Sequence, residues 1–393
     1  MLKISTRLML TLLLAALAST ACSPFAIVPS TQAAPTPIVQ VIPADTEAPE
    51  TTIPTEELSA AGPARFMLFN RPEKLAIAYD ADGNEVYRIP TPGLEYPAPY
   101  STSIVDGAVY YVSPMDHAII RASQNGAVRV NLPTDENLYA IAVSPDDTMI
   151  AWSNFYGDFE SARSTLWIAN TDGSNAREVI TYSASQAGGK PSAAFNLMPV
   201  SWTTDGKLLF DRTITGLGGY ILFFGYHSLY SYDPATAQFE TIVPAEEDHG
   251  ISLDTYRLDL DRVVFNTRGL DSPITIRNLQ DQSEVTLPKV GEQGLGGSIR
   301  YSPSGAYIAY AVARSNPEDE AGNVVVVPAD LSTEPASILH VDGNRAPYIH
   351  GWLDEDTILF ATNHMDAGQV WRIRRDGSEL TLLAEGQFMA MIR

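Results

Sequence analysis

The chain has a single cysteine in 393 residues, Cys22, and it lies close to the N-terminus. A disulfide within the chain needs two cysteines, so none can form. The region after Cys22 also has no thiolate to bind a metal ion or to act as a nucleophile. This region must therefore be held together by packing and hydrogen bonds.

Motifs for catalysis are missing as well. The six histidines show neither the HxH nor the HExxH spacing that places two imidazoles on one metal ion. The GxSxG nucleophile elbow of α/β-hydrolases is absent too, which excludes the serine hydrolases that combine such a domain with a propeller. The sequence nominates no catalytic residue, no metal ligand and no cofactor.

Basic residues are scarce, with 25 Lys and Arg against 47 Asp and Glu and a formal net charge of −22. Removal of an N-terminal segment that contains Lys3 and Arg7 leaves 23 basic residues and a net charge of −24. Such a field repels phosphate backbones, so we expect no nucleic-acid partner.

The N-terminus has the pattern of a signal peptide. Lys3 and Arg7 are followed by an apolar run, residues 8–18, that is too short to span a bilayer. We predict that residues 1–21 are cleaved and that the protein is exported.

The residues Ser19, Thr20, Ala21 and Cys22 resemble the lipobox of bacterial lipoprotein precursors. The resemblance implies a lipidated Cys22 at the mature N-terminus and an extracytoplasmic protein anchored to a membrane of the cell envelope. Ser19 stands where the lipobox has an aliphatic residue, so ordinary signal-peptidase cleavage is the alternative. Residues 22–63 are rich in Pro, Thr, Ala and Glu without a sustained apolar period, which predicts a semi-extended tether.

Residues 64–393 contain internal repeats. Each repeat has four short β-rich runs, with Ser-Pro-Asp or Asp-Gly turn chemistry after the first and third runs, which predicts a four-stranded antiparallel meander. Six units are complete. A seventh, in residues 65–90, lacks its first strand, and residues 387–392 supply a matching strand at the other end of the chain.

These repeats predict an all-β fold, a single β-propeller of seven blades whose ring is closed by the C-terminal strand, because closure removes open sheet edges. Six blades are the alternative, if residues 65–90 pack outside the ring. The segments SPDDTMIAW and LWIANTDGSNAREVI resemble the repeat of TolB-like propellers. That resemblance implies a fold but not an activity, since propellers serve as binding modules and as enzymes. We expect a monomer.

Long connections in this sequence fall into the two classes that emerge on the same face of a propeller, which favours a binding surface there. Two connections, residues 154–164 and 212–227, are rich in aromatics and glycine. The candidate binding residues are Phe155, Tyr156, Tyr220, Phe223, Phe224, Tyr226 and His227. We expect them to matter more for binding than for folding; the alternative is that residues 220–224 extend a hairpin whose apolar face is packed.

The expected function is therefore a non-catalytic scaffold that binds a protein, peptide or glycan. The alternative is an extracytoplasmic hydrolase or lyase that acts on a glycan or lactone over the central channel. Among the histidines, His350 is expected to pack in the core, and His249, within an acidic stretch, to lie in a solvated loop. The segment from Asp80 to Glu85 is predicted to be a hairpin turn and not a calcium loop, because other repeats have Asp-Gly turns at the same place.

Overall fold

The computed structural model describes residues 61–98, 100–105, 107–133, 137–157, 163–183, 195–214, 228–243, 257–259, 262–266, 274–288, 290, 295–313, 322–341, 347–362 and 368–392. Within these ranges the regular structure is β-strand throughout, and no helix is long and apolar enough to cross a membrane.

The strands follow one another in chain order as β1 (Phe66–Asn70), β2 (Leu75–Tyr79), β3 (Glu85–Pro90), β4 (Thr102–Val105), β5 (Ala108–Ser113), β6 (Ala118–Ser123), β7 (Gly126–Arg129), β8 (Leu138–Val143), β9 (Met149–Tyr156), β10 (Arg163–Asn170), β11 (Arg177–Ser183), β12 (Phe195–Trp202), β13 (Leu208–Ile214), β14 (Leu229–Asp233), β15 (Gln238–Val243), β16 (Arg257–Asp259), β17 (Arg262–Asn266), β18 (Ile274–Asn278), β19 (Glu284–Thr286), β20 (Leu295–Tyr301), β21 (Tyr307–Ala313), β22 (Gly322–Pro328), β23 (Ala336–Val341), β24 (Tyr348–Trp352), β25 (Thr357–Thr362), β26 (Gln369–Arg374), β27 (Thr381–Glu385) and β28 (Gln387–Met391).

The strands form seven four-stranded antiparallel sheets, each of them one blade. Blade 1 has the order β28-β1-β2-β3, and blades 2 to 7 are β4–β7, β8–β11, β12–β15, β16–β19, β20–β23 and β24–β27. The chain is thus a seven-bladed β-propeller, as the repeats predict.

Blade 1 closes the ring with strands from both ends of the domain. In the pairing of β28 with β1, Phe66 lies opposite Met391 and Leu68 opposite Phe388. The amide of Ile392 also donates to the carbonyl of Arg65 at 2.8 Å. The C-terminal strand therefore supplies the missing strand of the first repeat, and the prediction of ring closure is confirmed.

The period-two alternation of the strands explains why the blades pack. In β1, Phe66 and Leu68 belong to an apolar cluster shared with blade 7, whereas Met67 and Phe69 belong to one shared with blade 2. Successive side chains of a strand point to opposite faces of its sheet, so one short strand serves both neighbours. Seven such clusters are found among the described residues, one between each pair of adjacent blades.

Bulges recur on the innermost strands. The pairing with the second strand skips Tyr139 in β8, Val200 in β12, His350 in β24 and Met389 in β28. A bulge leaves one residue unpaired and bends the strand. His350 is 7% exposed and stacks on Phe388, with ring centroids 3.5 Å apart, so the expectation of a packed histidine is confirmed. His249 lies outside the described residues.

Several strands run further than the sequence suggested. β9 continues to Tyr156 and β10 starts at Arg163, so much of the predicted loop 154–164 is a longer hairpin. β13 likewise reaches Ile214, β12 starts at Phe195 and β20 starts at Leu295. The aromatic and glycine-rich composition of residues 154–164 suggested a loop. Its strand character depends on pairing with the partner strand, as between Phe155 and Ser164, which the composition does not show.

Candidate functional site

Strand direction divides the connections between two faces of the propeller. Since neighbouring strands are antiparallel, connections from a first to a second strand and from a third to a fourth strand lie on one face, here called the turn face. Connections from a second to a third strand and from one blade to the next lie on the opposite face, here called the loop face.

On the turn face, side chains close the turns. Both carboxylate oxygens of Asp80 are used: Oδ1 accepts the amides of Asp82 and Asn84 at 2.9 and 2.8 Å, and Oδ2 accepts the amide of Gly62 and the side chain of Asn84, both at 3.0 Å. Burial raises the pKa of Asp80, but the hydrogen bonds from Asn84, Gly62 and Asp82 outweigh it, and the net pKa is lowered. The prediction of a hairpin turn at this place is confirmed.

The same chemistry recurs around the turn face. Asp172, Asp281 and Asp376 each accept the amide of the serine two residues later, at 2.8 to 2.9 Å. Hydrogen bonds from those serine side chains, followed by their amides, lower the pKa of each aspartate. These acidic side chains serve the turns, which is the usual role of Asp in such loops. In the part of the chain that the structure describes, no group of three or more His, Cys, Asp or Glu side chains is placed to hold a metal ion.

The loop-face ends of blades 2 and 3 bring aromatic rings together. Tyr100 lies between β3 and β4, Tyr139 is the second residue of β8, and Phe155 is next to last in β9. The rings of Tyr100 and Tyr139 stack with centroids 5.2 Å apart and planes 8° apart, and Phe155 lies 6.4 Å from Tyr139 in a tilted arrangement. These three residues are called the aromatic cluster below, and each is half-buried.

Backbone hydrogen bonds fix the aromatic cluster. The amide of Ile141 donates to the carbonyl of Tyr100 at 2.8 Å, which ties the lead-in of blade 2 to the inner strand of blade 3. The amide of Phe155 donates to the carbonyl of Asn137 at 3.0 Å. Hydrogen bonds thus fix the backbone at Tyr100 and Phe155, and Tyr139 is the bulge residue of β8 between paired neighbours, which preorganises the rings for contact.

Polar groups lie beneath the aromatic cluster at the boundary of blades 3 and 4. Ser164 donates to Asn196 Oδ1 at 2.8 Å and accepts the amide of Leu197 at 2.9 Å. Burial raises the pKa of Tyr139, the neighbouring Tyr100 adds to the rise, and the amide of Asn196 lowers it. Tyr139 thus joins the rings to a buried polar layer.

Buried polar side chains occupy one equivalent position in the second strands of blades 3 and 4. After the large aromatic of the second strand, these blades have the fully buried Ser153 and Asp211, where blades 6 and 7 have Ala311 and Ala361. Asp211 Oδ1 accepts both the amide and the hydroxyl of Ser228 at 2.7 Å. Burial of a carboxylate is costly unless it is hydrogen-bonded, and the two bonds from Ser228 offset part of that cost for Asp211.

Two further large side chains are exposed on the loop face. Met115, at the tip of the β5–β6 turn, is 72% exposed, and Tyr96 is 38% exposed. The segment of Tyr96 packs on that turn: a Cβ on Gly93 would lie 2.7 Å from Ser113 Oγ, and Tyr111 donates to the carbonyl of Pro92 at 2.6 Å. Exposed aromatic rings and the flexible thioether side chain of methionine are typical of binding surfaces.

The sequence-predicted residues divide into two groups. Phe155 and Tyr156 lie at the loop-face end of β9, in a strand and not in a loop, and both are half-buried. Tyr220, Phe223, Phe224, Tyr226 and His227 lie outside the described residues, as does Cys22, so their roles stay predictions. Sequence reasoning missed Tyr96, Tyr100, Met115 and Tyr139. Tyr100 and Tyr139 come from different blades, and no spacing in the sequence shows that their rings stack.

The fold and this surface define a β-propeller with a structured loop face. No protein-family model and no curated protein matches the chain. Solved structures similar to it include TolB from Acinetobacter baumannii, at 14% identity and a TM-score of 0.41, covering 82% of this chain and 64% of TolB. An oligogalacturonate lyase in complex with manganese is similar at 11% identity and a TM-score of 0.48, covering 81% of this chain and 90% of the lyase.

A prolyl endopeptidase is similar at 12% identity and a TM-score of 0.49, covering 81% of this chain and 49% of the peptidase. The chain therefore spans less than two thirds of the TolB structure and about half of the peptidase. At these identities the likeness concerns the propeller fold alone.

Proposed function

We propose that this protein is a lipid-anchored, extracytoplasmic propeller that binds a protein, peptide or glycan on its loop face without catalysing a reaction. The observation that carries the proposal is the aromatic cluster, with Met115 and Tyr96 exposed on the same face of the propeller. Interface hot spots are enriched in such aromatic anchors. On the opposite face the carboxylates of Asp80, Asp172, Asp281 and Asp376 are engaged in turns.

The entry point of the chain suits a tethered binder. The amide of Gly62 donates to Asp80, and the guanidinium of Arg65 donates to the carbonyl of Leu353, both on the turn face. The described chain therefore enters the propeller on the turn face, opposite the proposed binding face.

Membrane fractionation tests the anchor. Cys22→Ser removes the thiol that would carry lipid, and we expect the variant to move from the membrane to the soluble fraction, with Ser23→Ala as a control that stays bound. One acyl chain holds a protein only marginally, so firm retention requires several chains on the wild type. Unchanged partition of Cys22→Ser into a detergent phase would contradict the anchor.

Retrieval of partners from envelope extract with the detergent-solubilised full-length protein tests the binding face. We expect Met115→Ser to reduce recovery of a partner, whereas Val128→Ser, also in blade 2 and 60% exposed, leaves it unchanged. Exposed substitutions cost below about 0.5 kcal/mol, so both variants should melt like wild type. Equal recovery by both variants would refute the proposed face.

A test of Phe155 must remove its ring without disturbing the packing around it. From the sequence, a combined Phe155→Ala and Phe223→Ala variant is expected to keep its melting temperature within a few degrees of wild type. Because the Phe155 ring packs near Tyr139, Phe155→Leu is the better probe: it removes the aromatic face and keeps apolar volume.

A further inference from the structure

We infer that Tyr100 and Tyr139 form a site of oxidative modification, at which their phenol rings couple to a dityrosine that joins blade 2 covalently to blade 3. The oxidant is a one-electron acceptor, such as the activated haem of a peroxidase that consumes hydrogen peroxide. This inference goes beyond the proposed function and does not rest on it. It follows from the stacking, the exposure and the chain positions of the two tyrosines.

The two phenol rings are already in contact. Their centroids lie 5.2 Å apart and their planes 8° apart, the geometry of offset-stacked rings whose carbons are in van der Waals contact. Among the ring pairs that the structure describes, this is the one formed by two tyrosines. Burial raises the pKa of Tyr139, and the charge and the hydrogen bond of the Tyr100 hydroxyl add to the rise, which requires the two hydroxyls to lie close together.

The pair is also accessible and held in place. Both side chains are half-buried, so each exposes part of its ring to a dissolved oxidant, whereas the ring of Tyr310 is only 1% exposed. The amide of Ile141, two residues after Tyr139, donates to the carbonyl of Tyr100 at 2.8 Å. The backbones that carry the two rings are therefore tied to each other, and the rings stay within reach during the lifetime of a radical.

Coupling needs only the two side chains and the oxidant. Each phenol gives up one electron and one proton and becomes a tyrosyl radical. The two radicals form a bond between ring carbons ortho to the oxygens, and the hydrogens on those carbons move to the oxygens and restore both phenols. The pair thus loses two electrons and two protons, and one hydrogen peroxide takes them up and becomes two molecules of water.

The new bond encloses a whole blade. The strands β4, β5, β6 and β7 all lie between Tyr100 and Tyr139 in the chain, so the dityrosine closes a covalent loop around blade 2. A crosslink of this kind restricts the unfolded chain and favours the folded one. We expect the backbone amides of blade 2 to exchange with solvent more slowly after oxidation, and those of blade 6 to exchange as before.

Oxidation of the full-length protein tests the inference. One arm uses hydrogen peroxide with a haem peroxidase, and the other uses persulfate with a photo-excited ruthenium complex, a small one-electron oxidant that reaches half-buried rings. In both arms we expect a monomer lighter by two hydrogen atoms, dityrosine fluorescence, and a crosslinked peptide pair that contains Tyr100 and Tyr139. Tyr100→Phe and Tyr139→Phe each keep the ring and remove the phenol, and each should lower the dityrosine yield about tenfold, because coupling then needs two separate chains.

Tyr79 provides the matched control. Its half-buried ring stacks on Phe66 with centroids 5.3 Å apart and planes 15° apart, so the geometry is similar but the partner has no phenol. Tyr79→Phe should therefore leave the dityrosine yield unchanged. Melting curves before oxidation show that each variant is folded.

The results that overturn the inference are specific. They are dityrosine that forms only between two copies of the chain, a yield that survives both Tyr100→Phe and Tyr139→Phe, or an oxidised monomer without the crosslinked peptide pair. Hydrogen exchange completes the test. Equal exchange of the blade 2 amides in oxidised wild type and oxidised Tyr100→Phe would contradict the covalent loop around blade 2.

Discussion

The imidazole of His350 stacks on the ring of Phe388, with planes 12° apart, and this contact joins blade 7 to the strand that closes the ring. His350 sits at the bulge of β24, where the register skips one residue and turns its side chain toward β28. Gly351 helps, because a Cβ there would lie 2.9 Å from Met391 of the same closing strand. The closure is therefore held by packing between inner strands as well as by the β1–β28 ladder.

Deletion of residues 387–393 should open the ring. The β1 edge would lose its ladder partner, and Phe66 and Leu68 would lose apolar neighbours in β28. We expect a loss of more than about 4 kcal/mol in the free energy of unfolding, the range of severe core damage. Thermal unfolding followed by circular dichroism measures it, with deletion of Arg393 alone as control. A truncated chain that melts like wild type would refute the closure.

Replacement of the stacked ring should also destabilise the domain. Phe388→Ala should lower the free energy of unfolding by about 2 kcal/mol, less than the 3–5 kcal/mol of a fully buried phenylalanine because this ring is only partly buried. Leu382→Ala, in neighbouring β27 and 40% exposed, is the control and should cost below about 0.5 kcal/mol. Urea unfolding measures both. Similar losses in the two variants would show that the His350 contact contributes nothing specific.

Two glycines with the same backbone conformation give a matched test of blade packing. Gly173 and Gly206 have φ values of +86° and +83°, and a Cβ on Gly173 would lie 2.0 Å from the carbonyl oxygen of Asn131, whereas nothing is within 4 Å of one on Gly206. Gly206→Ala should cost about 1 kcal/mol for the left-handed backbone. Gly173→Ala should cost at least about 2 kcal/mol more, because the clash is with backbone. Equal melting temperatures for the two variants would show that Gly173 does not pack against the backbone of Asn131 at the boundary of blades 2 and 3.

Asp80 should make stability depend on pH. Its folded pKa is lowered below the ordinary value of 3.8, so its carboxylate stabilises the fold above the unfolded pKa, and that contribution is lost as the pH falls through the folded pKa. Wild type should exceed Asp80→Asn in free energy of unfolding by a constant amount from pH 7 to pH 5. The difference should shrink below about pH 4. If the difference in free energy of unfolding between wild type and Asp80→Asn grows on acidification, the pKa of Asp80 is raised and not lowered by folding, which contradicts the hydrogen-bond network.

Much of the fold could be predicted from the sequence because its signals are local and repeated. Ser-Pro-Asp and Asp-Gly turns mark the turn face, and the orphan strand in residues 387–392 matches the gap in the first repeat. The bulges at Val200, His350 and Met389 could not be predicted, since they depend on the register of the inner strands against their neighbours.

Of the candidate binding residues, the structure describes Phe155 and Tyr156. The sequence nominates them because aromatics beside glycine stand out in a connection, but it does not place them in a strand, and their role in binding stays a prediction. Tyr100 and Tyr139 lie at positions of two repeats that no sequence motif marks. Their rings stack only because blades 2 and 3 pack side by side. Met115 follows a proline in an ordinary turn, and its exposure is a property of the folded surface.

Site-specific photo-crosslinking tests the central claim, that a partner binds the loop face. Met115 and Gln124 are both exposed and lie at opposite ends of β6, the first on the loop face and the second on the turn face. A benzophenone amino acid at position 115, irradiated in intact cells, should yield a covalent adduct with the partner, and the same residue at position 124 should not. Adducts of equal yield from both positions, or from position 124 alone, would contradict a binding surface on the loop face.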